Sequence, residues 1–240
     1  MRTEPTSPTP TALGTNERSV EVPWALQRVG GARRVLDVGC STSDYLGDLA
    51  PCRRVYGLDP DGPQPIQNVG VVKGTVVAPP FPSGSFDLIL CVSTVEHIGL
   101  PIYGQREFPH GDLLAMRHMR RLLAPGGRLL LTLPFGRAQV NPWFRVYDRR
   151  GLRRLTGGFR ALSTAFYRLR THGEGSYEAC RAADLRRAGY DFEHMRTEGV
   201  ALAELTPSGP LSFLLSRALT RLSLWFDRLT GKERPFLRPC

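Results

Sequence analysis

The stretch Val35-Leu36-Asp37-Val38-Gly39-Cys40-Ser41-Thr42-Ser43 decides the fold. It is an apolar strand pattern that carries an acid near its end, followed by a turn of small residues and the start of a helical pattern. Small side chains in such a turn let backbone amides approach a ligand closely. A dinucleotide-binding turn has three glycines, whereas Ser41 and Ser43 stand at two of those positions here. The turn alone predicts either a ligand site or an ordinary strand–turn–helix junction.

A second acid ends the next strand pattern. The run Val55-Tyr56-Gly57-Leu58-Asp59 places Asp59 about twenty residues after the glycine turn, the spacing at which an acid binds a ribose in nucleotide-binding folds. A carboxylate there can accept hydrogen bonds from both ribose hydroxyls. The alternative, an acid that caps a helix, is weakened because Pro60-Asp61-Gly62-Pro63 follows directly.

Short apolar runs alternate with helical patterns along the chain. Strands are predicted at 33–38, 54–58, 69–73, 86–92 and 128–133. Helices are predicted at 22–29, 43–49, 112–123, 148–155 and 177–188. This alternation predicts an α/β fold with a Rossmann-like, doubly wound and mostly parallel sheet. Segments 192–196 and 200–205 are expected to close it as an antiparallel hairpin.

Composition is that of a soluble globular protein. Of its 240 residues, 41% are hydrophobic and 22% are charged. The five cysteines are scattered and form no C-x-x-C pair, which argues against a disulfide framework or a zinc site. The sequence shows no signal-peptide pattern and no apolar run long enough to span a membrane. We therefore expect a cytoplasmic protein without a bound metal.

The net charge is +10, and the basic residues are almost all arginines. Such a surplus predicts an anionic partner, either nucleic acid, a membrane or an acidic substrate. The equally simple alternative is a set of solvated surface arginines that reflects the coding composition of the source. Of the partners, an acidic small molecule is favoured over nucleic acid.

Three regions are predicted along the chain. Residues 1–17 are rich in Thr, Pro and Ser and are expected to form a disordered tail. Residues 18–206 are expected to form the catalytic domain. Residues 207–240 follow a Pro-Gly break and predict an amphipathic helical extension. That extension is interpreted as a helix docked on its own domain or in a homodimer, with contact to a membrane surface or gating of the substrate as the alternatives.

The motifs together resemble the class I S-adenosylmethionine (SAM)-dependent methyltransferases. They occur in the order LDVGC (36–40), GLDP (57–60), FPSGSFDLILCVSTVEHIG (81–99) and RRLLAPGGRLLLTLP (120–134). The rest of the chain more distantly resembles bacterial members that act on glycans or secondary metabolites. The resemblance implies the doubly wound fold, SAM as the cofactor and methyl transfer as the reaction.

Carried over by position, the resemblance assigns the methionine and ribose ends of SAM. It implies that Asp37 and Gly39 lie at the methionine end, with Cys40 and Ser41 in the turn. It implies that Asp59 holds the ribose hydroxyls.

The resemblance also assigns the adenine side and the mouth of the pocket. Pro60 would lie beside the adenine, and Gly74 and Thr75 would follow on the same side. Ser93 would line the methionine side, and His97 would close the pocket. Thr75 and the serines of the first turn depart from the family pattern, which predicts a weaker adenine contact and a tighter pocket.

Two histidines are the leading candidates for a general base. Methyl transfer from a sulfonium depends mainly on alignment, and a hydroxyl acceptor also benefits from a base. His97 lies beside the predicted cofactor site, although a histidine after this strand is more often structural. His110 lies in a long polar loop after the fourth strand, where it is better placed to meet a substrate. The weaker candidates are Glu96, Asp112 and His172. Asp112 is more simply interpreted as the cap of the helix predicted at 112–123.

The leading hypothesis is a methyltransferase for a small molecule, with an oxygen of a sugar or of a natural-product scaffold as acceptor. The first alternative is an RNA methyltransferase, since residues 143–170 interleave aromatic residues with arginines as a base-stacking surface would. The second alternative is a protein with this fold that transfers no methyl group.

Overall fold

The computed structural model describes residues 16–62, 64–102, 107–170, 176–191 and 196–209. The helices of these residues are α1 Arg18–Leu26, α2 Leu46–Leu49, α3 Gly111–Leu122 and α4 Arg149–Leu155. The first five strands are β1 Arg34–Val38, β2 Arg54–Asp59, β3 Val69–Lys73, β4 Phe86–Val92 and β5 Leu123–Pro134. The later strands are β6 Gln139–Val140, β7 Arg145–Val146, β8 Phe159–Leu169, β9 Tyr177–Cys180, β10 Tyr190–Asp191, β11 Arg196–Thr197 and β12 Gly199–Pro207.

An eight-stranded sheet has the order β3-β2-β1-β4-β5-β12-β8-β9. Strands β1 to β5 pair in parallel, and β12 lies antiparallel between β5 and β8. The strand order reverses between β1 and β4, since β2 and β3 follow on one side of β1 and β4 and β5 on the other. Open α/β sheets bind ligands at the carboxyl ends of the strands beside such a point. The predicted Rossmann-like, mostly parallel fold with antiparallel strands is confirmed.

The prediction that segments 192–196 and 200–205 pair with each other as a closing hairpin is wrong. The segment after Gly199 pairs with β5 and β8, while Arg196–Thr197 pairs with Tyr190–Asp191 in a separate small ribbon. The physical reason is that Val200 to Leu205 is buried on both faces except for Glu204, which suits an interior strand. Interior strands need a neighbour on each side.

Two further segments differ from their predictions. Residues 177–188 were expected to be helical, but Tyr177–Cys180 is strand β9, paired with the end of β8. Strand β8 itself lies within the segment that was interpreted as an aromatic and arginine-rich surface. The sequence of β8 shows no clear alternation of polar and apolar residues, because both faces of this strand are partly exposed.

Helix boundaries matter most at α1 and α3. Helix α1 begins at Arg18, four residues before its predicted start, and this brings Arg18 and Glu21 into the fold. Helix α3 buries the predicted apolar face, including Met116 and Met119. Its N-cap position is occupied by His110 in a left-handed conformation, so the prediction that Asp112 caps this helix is wrong.

The ends of the chain are described only in part. Asn16 and Glu17 belong to the described fold, since Glu17 Oε2 lies 3.4 Å from the Tyr177 hydroxyl. The predictions of a disordered tail and of an amphipathic C-terminal helix otherwise fall on residues 1–15 and 210–240, outside the described residues. Of the helices in the described ranges, none has the length and apolar character needed to cross a membrane.

Candidate active site

The bend after β1 is held against β2 and β4. Gly39 has φ of 81°, and its amide donates to the Leu58 carbonyl at 2.9 Å. A Cβ at Gly39 would overlap Oγ1 and Cγ2 of Thr94, the second residue after β4. Cys40 packs in turn on Gly57, where a Cβ would lie 2.6 Å from Cys40 Sγ. These glycines therefore allow three strand ends to converge.

Asp59 points into this bend. Its Oδ2 accepts a hydrogen bond of 3.1 Å from the Ser41 amide, and its Oδ1 accepts one of 3.0 Å from the Asp61 amide. The residue is buried. Since a carboxylate offers about four lone-pair positions, both oxygens keep an acceptor position for a further donor. The structure thus brings together the two acids that the sequence singles out, Asp37 and Asp59, with the turn between them.

Asp37 is fully buried at the end of β1. Its Oδ1 accepts a hydrogen bond of 3.3 Å from the Tyr45 hydroxyl, which itself lies 3.3 Å from Ser43 Oγ. Its Oδ2 is buried and has no hydrogen-bond partner in the part of the chain that the structure describes. Burial raises the pKa of Asp37 to about 7, against the smaller opposing effects of Ser43 and Arg18. A buried carboxylate with an unused oxygen is costly unless a donor or a cation arrives.

Ser93 links β4 to α1 through a buried acid. Ser93 has φ of 44°, its amide donates to Thr132 Oγ1 at 3.0 Å, and its Oγ lies 2.8 Å from both carboxylate oxygens of Glu21. Burial, followed by the charge of Glu17, raises the pKa of Glu21 to about 7. The sequence reasoning missed Glu21, although an acid on the inner face of an amphipathic helix is a usable signal.

Glu96 and His97 follow on the same turn. Glu96 is buried, and within the described ranges its Oε2 has no hydrogen-bond partner. His97 Nδ1 lies 2.6 Å from the Trp143 carbonyl, which can only accept, so Nδ1 carries the proton. Nε2 is then the basic nitrogen, and it lies 3.9 Å from Glu96 Oε1. Burial lowers the pKa of His97, which keeps the ring neutral near pH 7.

Arg18 approaches the bend from the start of α1. Its Nη2 donates to Thr42 Oγ1 at 2.9 Å, and its Nη1 is buried with no hydrogen-bond partner among the residues described. Its charge lowers the pKa values of Glu21, Asp37 and Glu96 against the larger effect of burial. The sequence reasoning missed Arg18 because it started the helix at Val22.

The residues expected at the adenine side lie next to Asp59. Pro60 follows Asp59 directly, and the Gly74 amide donates to the Asp59 carbonyl at 2.9 Å. The Thr75 hydroxyl accepts a bond of 3.4 Å from the Val77 amide, which begins a tight turn. Their contacts with a cofactor stay predictions.

His110 lies at the start of α3. It takes the left-handed position before α3, is exposed, and its Nδ1 lies 3.3 Å from Arg154 Nη2 of α4. Asp112, two residues on, is buried and accepts a bond of 3.0 Å from the Tyr147 hydroxyl. Asp112 therefore fixes the approach of β7 and α4 to α3.

Comparison with known proteins identifies the domain that carries this site. A family model described as a methyltransferase domain matches residues 36–131. These residues form a methyltransferase domain. The matched span contains β2 to β4 and most of β1 and β5, so it holds both Asp37 and Asp59.

Relatives in sequence match the methyltransferase domain over part of their length. A protein of Encephalitozoon cuniculi, provisionally described as a methyltransferase, is 33% identical over 102 residues, which are 40% of this chain and 43% of that protein. The demethylmenaquinone methyltransferase of Listeria monocytogenes is 29% identical over 138 residues, 51% of this chain and 53% of the relative. The chain thus spans about half the length of the curated relatives that it matches.

Solved structures share the fold of the methyltransferase domain. The N-methyltransferase NodS of Bradyrhizobium japonicum, solved with S-adenosylhomocysteine, superposes with a TM-score of 0.52 at 16% identity over 81% of this chain and 89% of that chain. The [4+2]-cyclase SpnF superposes with a TM-score of 0.53 at 18% identity over 80% and 81%. At these identities the likeness concerns the fold alone.

The side chains of the methyltransferase domain and of α1 fit SAM. Around the bend, three buried polar atoms have no hydrogen-bond partner among the described residues: Asp37 Oδ2, Glu96 Oε2 and Arg18 Nη1. Such atoms are rare in native proteins and indicate a missing ligand or water. Acidic oxygens suit an ammonium or a sulfonium, a guanidinium suits a carboxylate, and Asp59 suits a ribose diol. SAM carries all of these groups.

Proposed function

We propose that the chain is a SAM-dependent methyltransferase whose acceptor is a small molecule. The observation that carries the proposal is the hydrogen bond between the Ser41 amide and Asp59, because it joins the first turn to the ribose-binding acid of the second strand. The fold, the matched domain and the polar atoms without partners at the bend support it.

The residues of the site would act mainly by binding and orientation. Asp59 would accept hydrogen bonds from the ribose hydroxyls, and Asp37 and Glu96 would face the positive groups. SAM, when bound, supplies an electrophilic methyl group. Holding an acceptor in line with it contributes on the order of 7–11 kcal/mol to lowering the barrier.

An oxygen acceptor of a sugar or natural-product scaffold remains our preferred substrate class. A hydroxyl must lose its proton as the new bond forms, and His97 Nε2 is a neutral base at the edge of the site with its tautomer fixed by the Trp143 carbonyl. The likeness to demethylmenaquinone methyltransferases supports a small-molecule acceptor in general, and the excess of arginines supports an anionic one.

The alternative of an RNA methyltransferase gains little support from the aromatic residues of 143–170. Phe144 stacks on Tyr190 with ring centroids 4.0 Å apart, and Phe166 packs on Phe135 at 4.8 Å. Both rings therefore have protein partners where a nucleic-acid surface needs open faces. A salt-sensitive gel shift with RNA would favour this alternative.

The alternative of a protein without methyl transfer rests on the fold it shares with a [4+2]-cyclase. One experiment tests all three functions. Purified protein is incubated with SAM labelled on the methyl group and with panels of hydroxylated small molecules and of RNA. The proposal expects label in a small molecule. Label in RNA alone, or SAM binding without transfer to any panel member, would contradict it.

A further inference from the structure

An open cavity lies at the amino ends of the parallel strands. Its volume is about 570 Å³, and its lining residues are Arg33, Arg34, Arg53, Arg54 and Asp87. The register of the sheet explains why they converge, since Arg34 of β1 lies opposite Arg54 of β2 and the Arg54 amide donates to the Arg33 carbonyl at 2.8 Å. Two Arg-Arg dipeptides that are far apart in sequence thereby become neighbours. We call this site the arginine cavity.

The acid that lines the arginine cavity is already engaged. Asp87 Oδ2 accepts hydrogen bonds from the amides of Arg33 and Arg34 at 3.2 and 3.0 Å, and its Oδ1 accepts one from Arg34 Nη2 at 2.8 Å. The hydrogen bond from the Arg34 guanidinium lowers the pKa of Asp87, which keeps this carboxylate charged at neutral pH. In the described part of the chain, Arg33, Arg53 and Arg54 have no carboxylate within ion-pair distance. Three positive charges at the cavity are therefore not balanced by an acid of the described fold.

Arg53 is fixed at the wall of the cavity with one donor unsatisfied. Its Nη2 donates to the Gly30 carbonyl at 2.9 Å, and its amide donates to the Ala50 carbonyl at 3.2 Å in the turn before β2. Its Nε is buried and has no hydrogen-bond partner among the described residues. A buried N–H without a partner is costly, and in native proteins it indicates a missing ligand or water.

The arginine bias of the chain does not explain this arrangement. A coding bias accounts for the choice of arginine over lysine, but it does not place four arginines around one cavity. Like charges that share a cavity repel one another, and a bound anion reverses that effect. The planar fork of a guanidinium matches the oxygens of a phosphate in a bidentate geometry. The arginine cavity therefore suits an anion that presents several phosphate oxygens.

We propose that the arginine cavity binds a multiply charged phosphate group, such as a pyrophosphate, at a second site separate from the methyltransferase site. The five residue steps of β1 from Arg34 to Gly39 span roughly 16 Å, so a phosphate in the cavity is not the group that receives the methyl. The site holds the protein to a phosphorylated molecule while the carboxyl ends of the strands stay open. This inference does not depend on methyl transfer.

Calorimetric titration with inorganic pyrophosphate tests the site directly. Wild type is compared with the double variant Arg33→Gln/Arg54→Gln and with the control double variant Arg186→Gln/Arg187→Gln. Arg33 and Arg54 are exposed, and neither makes a side-chain hydrogen bond to another described residue, so their loss should leave the fold intact. Arg186 and Arg187 are neighbouring exposed arginines that do not line the cavity, so the control loses the same charge.

We expect wild type and the control to bind pyrophosphate with similar Kd. The Arg33→Gln/Arg54→Gln variant should bind it about tenfold to hundredfold more weakly, the range for the loss of a hydrogen bond between charged groups. Binding should also weaken as the salt concentration rises, because the cavity is open to solvent. If the cavity double variant does not fold, the single variant Arg54→Gln takes its place.

Vesicle sedimentation distinguishes the two sources of such a phosphate. The same three proteins are mixed with vesicles of phosphatidylcholine alone and with vesicles that also contain phosphatidic acid. Binding to the phosphatidic acid vesicles that is lost only in the cavity variant assigns the phosphate to a lipid headgroup. Pyrophosphate binding that is lost only in the cavity variant, without binding to vesicles, assigns it to a soluble ligand.

The proposal is overturned if wild type binds neither probe, or if the two double variants bind each probe equally. Titration with SAM separates this result from the proposed function. We expect all three proteins to bind SAM with the same Kd, because the arginine cavity lies at the opposite edge of the sheet from the bend. Failure of wild type to bind SAM would refute the proposed function and leave the phosphate site standing.

Discussion

The amide of Ser41 donates a hydrogen bond of 3.1 Å to Asp59 Oδ2 and so joins the turn after β1 to the end of β2. Asp59 is buried, and its other oxygen is held by the Asp61 amide at 3.0 Å. The carboxylate is consequently fixed before any ligand arrives. Preorganisation of this kind lowers the entropic cost of binding.

Gly39 should tolerate no side chain. We expect Gly39→Ala to lower the free energy of unfolding by about 1–3 kcal/mol, because φ of 81° disfavours a Cβ and that Cβ would overlap Thr94. Urea denaturation measures the change. Gly31→Ala is the matched control, since a Cβ at Gly31 has nothing within 4 Å. Equal stability of the two variants would contradict this account of the bend.

Asp37 should make the protein less stable as the pH rises. Burial raises the pKa of Asp37 from 3.8 to about 7, so between these values the folded state holds a proton that the unfolded chain has lost. The contribution of this group to the free energy of unfolding is therefore full at low pH, and it falls as the pH rises towards about 7. We expect Asp37→Asn to flatten part of the fall in unfolding free energy between about pH 5 and pH 7.5, since Glu17, Glu21 and Glu96, whose pKa values are also raised, contribute to the remainder.

The control for this pH dependence is Asp87→Asn. The hydrogen bond from Arg34 lowers the pKa of Asp87, so its contribution is present above pH 3.8 and is lost only below that value. Its variant should change the stability by the same amount at every pH in the measured window. An unchanged slope in Asp37→Asn would show that Asp37 is not protonated in the fold.

The hydrogen bond from the Ser93 hydroxyl to the buried Glu21 carboxylate should stabilise the fold. Ser93→Ala leaves a buried carboxylate without its 2.8 Å donor, and we expect a loss of about 1–3 kcal/mol in the free energy of unfolding. Ser85→Ala removes an exposed serine bond to the Pro82 carbonyl and should cost less. Equal losses would mean that the Ser93–Glu21 contact does not stabilise the fold.

Once an acceptor is known, variants at His97 and at His110 should differ in their effect on kcat. If His97 Nε2 is the base, His97→Gln lowers kcat by about 10²–10⁴-fold and leaves the Kd for SAM unchanged. Since burial lowers the pKa of His97, the acid limb of kcat/KM should lie below pH 6.5. His110→Ala, beside Arg154, should then keep most of the activity. A loss of at least about tenfold in His110→Ala alone would assign the base to His110 instead.

The sequence predicted the parallel half of the fold well because its signals are local. The strands β1 to β4 are continuous apolar runs bounded by turns, and α3 shows a helical period over 12 residues. The antiparallel half was predicted less well. The partner of β12 is set by contacts across the sheet, and β8 has no clear alternation because neither of its faces is fully covered.

The sequence predicted the part of the site that lies within the recognised motifs. Asp37, Gly39 and Asp59 converge as expected, since the carboxyl ends of neighbouring parallel strands meet at one edge. Arg18 and Glu21 were missed, because the start of α1 carries no capping signal and its N-cap residue makes no side-chain cap. Their role follows only from how α1 packs on β4.

Titration of SAM into wild type, Asp59→Ala and Asp61→Ala tests the central claim most directly. Asp61 is an exposed acid two residues away and controls for charge. The account predicts that wild type and Asp61→Ala bind SAM with similar Kd, and that Asp59→Ala, still folded by its Tm, binds about a hundredfold more weakly or not at all. Equal affinity of Asp59→Ala and wild type, or no binding by wild type, would contradict it.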